Sequence, residues 1–194
     1  MTRFGPEALD RLRRVLPEDD GKIPSSEFSA AAVLVPLFVV ENVLHVVLTQ
    51  RTDNVRTHQG QVSFPGGKWE PADTTLLDTA LREAHEEVGL EPGDVEVLGV
   101  LDDLPTAVSG FIIRPFVASI PHPYEFVHHA MEVAFVFTPP LSTFADTSKR
   151  RVETRERDGI SYEIYYYDVD GSIVWGATAR MLVALTDVLG AETP

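Results

Sequence analysis

The chain contains no cysteine. That removes disulfides, a thiol nucleophile and every cysteine-bearing zinc site, and it fits a reducing compartment. Positive charge is also scarce. Against 30 Asp and Glu stand only 16 Lys and Arg, a formal charge of −14 over 194 residues. Such a balance supplies no basic stripe to neutralise a nucleic-acid backbone, so nucleic acid is not an expected partner. It would equally repel a polyphosphate ligand unless metal ions and local arginines screened the site. Membrane-spanning character is missing too: the apolar run Ala30 to Val40 contains Pro36 and is too short to cross a bilayer. The N-terminus lacks the layout of a signal peptide. A soluble, cytoplasmic protein is the expectation. With no internal repeat, linker or low-complexity run, residues 1–194 read as a single domain with a sizeable core.

The hydrophobic pattern alternates between strand and helix periods, which points to an α/β domain. Residues 6–16 read as a short helix with proline at its start. Ala30–Val39 and Leu44–Gln50, separated by Glu41-Asn42, read as two strands joined by a tight turn, both central in a sheet. Further strands are expected at Val95–Leu101, Phe111–Ile120 and Val133–Phe137, with Asp102–Thr106 as a loop. Pro115 suggests that the second of these lies at an edge or carries a bulge. Asp158-Gly159 between alternating runs signals a hairpin, and Asp170-Gly171 a further turn. A closing helix begins near Trp175, with Leu182, Leu185 and Leu189 on one face.

The chemistry concentrates in the helix that contains Leu81-Arg82-Glu83-Ala84-His85-Glu86-Glu87-Val88-Gly89-Leu90. At roughly 100° per residue, Glu83, Glu86 and Glu87 fall within an arc of about 100°, beside an apolar seam of Leu77, Ala80, Leu81, Ala84 and Val88. Three like charges so close repel one another, and a cation reverses that balance. Oxygen-only ligands on one rigid helix suit Mg²⁺ or Mn²⁺ better than Zn²⁺. Arg82 stands one turn from both Asp78 and Glu86 and can pair with either. A solvated acidic helix face is the plain alternative for any isolated Glu-x-x-Glu-Glu. His122, His128 and His129 are poor metal candidates, because neighbouring residues on a strand point to opposite faces.

From Gly67 to Leu90 the stretch resembles the Nudix hydrolase signature, G-x5-E-x7-R-E-U-x-E-E-x-G-U, where U is a bulky apolar residue. Arg82-Glu83, Glu86-Glu87 and Gly89-Leu90 match; Ala84 is smaller than the pattern asks. Asp73 takes the first acidic position, and eight residues rather than seven separate it from Arg82. The preceding segment resembles a second motif, L-L-T-x-R-[S/A]-x3-R-x3-G-x3-F-P-G-G, which marks the coenzyme A pyrophosphatase branch of that family. Leu48, Thr49, Arg51, Arg56, Gly60, Phe64, Pro65, Gly66 and Gly67 fall in register, while Val47 and Thr52 depart. The branch also tends to carry the Asp and the longer spacer.

The resemblance implies an α/β/α sandwich with a mixed central sheet. It further implies metal-dependent hydrolysis of a phosphoanhydride in coenzyme A or a derivative, yielding 4′-phosphopantetheine and adenosine 3′,5′-bisphosphate. Glu83, Glu86 and Glu87, with the Gly67 carbonyl, would hold the metal. Arg51 and Arg56 are candidates for phosphate contacts or for ordering their loop, and Glu132 is a candidate further carboxylate or a surface residue. Two alternatives stand beside this. One is a Nudix hydrolase for NADH, ADP-ribose or a dinucleoside polyphosphate. The other is a catalytically silent nucleotide-sensing domain, against which the three retained helix acids argue.

Overall fold

A computed structural model describes residues 4–24, 27–52, 60–106, 110–157 and 159–190, the side chains of residues 157 and 160 excepted. Helix α1 (Glu7–Val15) precedes strands β1 (Ser29–Val40), β2 (Val43–Val46), β3 (Leu48–Arg51), β4 (Val62–Ser63) and β5 (Gly66–Lys68). Helix α2 (Leu76–Val88) follows, then β6 (Glu96–Val100), β7 (Leu104–Thr106), β8 (Phe111–Ser119) and β9 (Val133–Phe137). A short helix α3 (Ser142–Ala145), strands β10 (Arg150–Arg157), β11 (Ile160–Val169) and β12 (Ser172–Trp175), and helix α4 (Gly176–Gly190) complete the chain.

The main sheet runs β2-β1-β8-β6, with β5 added to β1 and β7 to β8. It is mixed: β1 and β8 are parallel, the other pairs antiparallel. Alternation along β1 sends Ala32, Leu34 and Phe38 toward α2, and Val35 and Leu37 toward α1 and α4. The expected α/β/α layering is therefore present. Two three-stranded sheets, β4-β3-β9 and β10-β11-β12, accompany it.

Several local expectations need correction. The run Leu44–Gln50 is not one central strand. It divides at Val47, so that β2 forms an edge of the main sheet while β3 becomes the middle of another. Asp102–Thr106 is not wholly loop, since Leu104–Thr106 pairs with β8. Nor does Pro115 mark an edge, because β8 is an interior strand. On that side β7 pairs with Phe111–Ile113 and β6 with Phe116–Ser119, and the proline's missing N–H falls at the break between them. Pro36 repeats the device on β1, between the rungs to β5 and those to β2. Glu41 and Asn42 both adopt positive φ (48° and 61°), the twist that a two-residue hairpin turn requires.

Among the described residues no helix is long and apolar enough to cross a membrane.

Helix α2 is closely specified. Thr75 and Asp78 form a capping box at its start, and Gly89 closes it in the left-handed region (φ 68°). Ala80 and Ala84 are fully buried against the sheet, so the helix lies near β1 because its seam is small. That explains the small residue at position 84. Ala84→Leu is expected to cost about 1–3 kcal/mol by overpacking, read as a lower urea midpoint at unchanged m-value.

Candidate active site

The three helix acids differ sharply in exposure. The Glu87 side chain is 4 % exposed, Glu83 17 % and Glu86 58 %, so they descend from solvent into the seam between α2 and β5. Burial pushes the Glu87 carboxyl up to about 7 despite the opposing charge of Arg51. Burial likewise raises Glu83, against the pull of Arg82. Both acids thus sit where a negative charge lacks the solvation it would have in water.

What partners they have comes from two arginines and one backbone turn. Arg51, at the end of β3, donates from Nη1 to Glu87 Oε1 at 3.2 Å and lies 3.9 Å from Glu132. The Gly66 N–H donates to Glu87 Oε2 at 3.3 Å. Arg82 donates to Glu83 Oε1 at 2.7 Å and to Glu86 Oε2 at 3.5 Å. Its other contacts grip Asp73 through Nε and Nη2, at 3.0 and 2.9 Å, and reach the Lys68 carbonyl at 3.3 Å. Arg82 does not pair with Asp78, whose carboxylate is engaged by the Thr75 N–H and hydroxyl in the helix cap.

Asp73 is the anchor of this arrangement. It is buried and also accepts hydrogen bonds from Thr79 Oγ1 (2.9 Å) and the Glu70 N–H (3.1 Å). The hydrogen bond from Arg82 is the foremost of the effects that hold its carboxyl down at about 2. Gly67 supplies the floor. A Cβ built there would meet the Glu83 carboxylate at 2.4–2.8 Å, so only glycine lets that side chain lie across the turn. Arg56 lies outside the described residues.

The opposite wall comes from the segment after β8. The Val127 N–H donates to the Val88 carbonyl (3.1 Å) and the His129 N–H to the Glu87 carbonyl (3.0 Å), pinning this segment to the end of α2. Glu132 is fixed through its own carbonyl, which accepts from the Thr52 N–H at 2.9 Å. The result is a cleft of about 750 Å³ lined by Glu83, Glu86, Glu87 and Glu132, with Glu70, His85, His128 and His129 at its margins. His128 and His129 reach the same cleft because this stretch is irregular rather than a strand. His122 does not; it stacks on Phe38 at 4.9 Å. Sequence reasoning passed over His85 and Glu70. His85 was visible between the helix acids, whereas no spacing singles out Glu70.

Among the described residues no three acidic or histidine side chains already converge as a cation cage. The arginines hold the acids in pairs instead. The donor set nonetheless fits a hard divalent ion: oxygen ligands only, Glu87 buried and Glu83 partly so, both with the ionised form disfavoured by burial, above a glycine that leaves them room.

Fold and cleft together amount to an acidic cleft on a mixed-sheet α/β/α sandwich. Residues 29–154 match the NUDIX domain family. A relative from Yersinia pestis (strain Pestoides F), described as the uncharacterized Nudix hydrolase NudL, is 37 % identical over 181 residues, covering 91 % of this chain and 90 % of the relative. Among solved structures, a NUDIX hydrolase from Alicyclobacillus acidocaldarius aligns with a TM-score of 0.52 and 20 % identity, covering 64 % of this chain and 85 % of that one. A C. elegans Ap4A hydrolase complex aligns with a TM-score of 0.50 and 18 % identity, covering 59 % and 81 %. At such identities the structures speak for the fold alone. The chain belongs to the Nudix family and is a Nudix pyrophosphohydrolase.

The ionised form of Asp73 is favoured by folding, so its contribution to stability is complete above its unfolded pKa near 4 and fades as pH falls toward 2. Asp73→Asn is expected to lower unfolding free energy by about 2 kcal/mol at neutral pH and by little near pH 2. Denaturant titrations at the two pH values, followed through Trp69, whose indole donates to the Asp73 carbonyl, measure the difference.

Proposed function

We propose that the substrate is coenzyme A or one of its derivatives, cleaved at the phosphoanhydride to 4′-phosphopantetheine, or its acylated form, and adenosine 3′,5′-bisphosphate. The observation that carries this reading is the run from Leu48 to Gly67. It agrees with the coenzyme A branch motif and ends on the very glycine that lies against the Glu83 carboxylate. Glu83, Glu86, Glu87 and the Gly67 carbonyl would hold Mg²⁺ or Mn²⁺. Such an ion, when bound, neutralises the diphosphate and lowers the pKa of water.

The remaining work belongs to the chain's own side chains. Arg51 is the candidate for gripping a phosphate. Its guanidinium shares one nitrogen with Glu87, and its buried Nε has no hydrogen-bond partner among the described residues. An acceptor oxygen would relieve the cost of that unpaired donor, about 1–3 kcal/mol. Arg82 acts at one remove from substrate, as a positioning residue that ties Glu83 to Asp73. Glu132 is half-exposed and only loosely engaged by Arg51, and it is our candidate to take the proton of the attacking water.

Product analysis by mass spectrometry tests the substrate. Coenzyme A and its acyl derivatives are expected to be split, with NADH, ADP-ribose and dinucleoside polyphosphates turned over far more slowly. Cleavage of one of those three with coenzyme A untouched would reassign the substrate within the family. Glu83→Gln is expected to fold normally, to bind Mn²⁺ more weakly, and to lose on the order of 100-fold or more in kcat. Wild-type turnover in that variant would remove Glu83 from the metal site.

A further inference from the structure

The NUDIX domain match ends at residue 154, inside β10, so the hairpin β10–β11 extends past the common domain. It is a regular ribbon of eight cross-strand pairs, from Arg150↔Tyr167 to Arg157↔Ile160, with no register shift. Only its base is covered. Tyr167 is buried beside Phe144, whereas Arg151, Val152, Thr154, Arg155, Glu156, Ser161, Tyr162 and Glu163 are exposed. Among the described residues no strand pairs with the outer edge of β10, which leaves a row of backbone donors and acceptors unmatched. Beyond its pairing with β12 at Tyr166–Val169 the ribbon has two strands only, which is marginal by itself, and a long edge without a register shift is a template for another strand.

The charges along that edge select its partner. An isologous contact would place β10 antiparallel to β10 of a second copy about a two-fold axis. Centred on Val152, the pairing sets Arg151 opposite Glu153 of the other chain, twice over, Arg150 opposite Thr154, and Val152 opposite itself. This is the one two-fold alignment of five or more β10 residues that opposes no like charges; every other opposes two arginines or two glutamates. It also covers Val152, which is 43 % exposed although it lies on the same face as the buried Tyr167. Within one chain Arg151 already contacts Glu153 and stacks on Tyr166 with 4.0 Å from guanidinium to ring centroid, which holds it in place for the crossing. Charged side chains normally protect an edge by repelling whatever approaches. Here the same charges admit one partner. We propose that β10 is a homodimer interface, joining two hairpins into a continuous antiparallel sheet with Val152 at the two-fold axis.

Sedimentation equilibrium on the full chain tests this, with circular dichroism and thermal unfolding to show that each variant folds. The wild type is expected to form a dimer. Arg151→Glu and Glu153→Arg should each weaken it by about tenfold or more, because opposed pairs become like pairs. The two variants mixed in equal amounts should form a heterodimer, since each then supplies the charge the other lacks. The double swap in one chain should dimerise again. A wild type that stays monomeric at all concentrations overturns the proposal, as does a dimer indifferent to Arg151→Glu. Failure of the folded single variants to pair when mixed would overturn the register.

Discussion

One guanidinium joins the pieces of this site. Arg82 reaches Asp73 in the loop before the helix, the Lys68 carbonyl at the end of β5, and Glu83 and Glu86 on its own helix. The Gly66 N–H to Glu87 and the Thr79 hydroxyl to Asp73 join turn, loop and helix in pairs, and Arg82 bonds to all three. Asp73 is what makes Arg82 stay. Buried and bonded by Thr79 and Glu70 as well, it gives the arginine a fixed counter-charge, so the one remaining nitrogen, Nη1, can face Glu83 and Glu86. The hydrogen bonds that Arg82 donates to Asp73 and Glu83 hold its pKa above its ordinary value, and the fork stays charged throughout.

The energetics of the acids follow from this frame. A carboxylate on the surface costs the fold little, and one sunk to a few per cent exposure costs a good deal unless paired. Glu87 is paired incompletely, by one arginine contact and one backbone N–H, both at the long end of the hydrogen-bond range. The protein thus carries stored electrostatic tension in the seam below the cleft. A cation held there, as proposed above, would relieve that tension, in a protein whose overall negative charge also draws cations toward it.

Much of this could be read from residues alone, and the reason is spacing. A helix fixes the relation of Glu83, Glu86 and Glu87 to one another, and Gly89 and the Thr75 cap fix its ends. An apolar run ended by a turn likewise located β1, and Asp-Gly between alternating runs located the hairpin. What escaped was everything set by contact between distant segments. Pro115 read as the sign of an edge or a bulge because sequence cannot show that β6 and β7 share one side of β8 and leave a gap for it. Arg82 looked equally able to join Asp78 or Glu86, and the cap at Thr75 decided the matter by claiming Asp78. His128 and His129 were set aside by a rule about strands that does not govern an irregular segment bonded to a helix end. The division of Leu44–Gln50 between two sheets depends on a change of direction at Val47 that no periodicity records.

The bonds that pin that irregular segment have an electrostatic effect of their own. A helix ends in carbonyl groups that no later turn can satisfy, and together they form the negative pole of its dipole. In α2 that end borders the cleft, which Gly89 helps to line. The Val127 and His129 N–H groups cover the Val88 and Glu87 carbonyls. The opposite wall of the cleft therefore spends its own N–H groups on the negative pole of α2, and two backbone oxygens that would otherwise face the cleft bare are already satisfied.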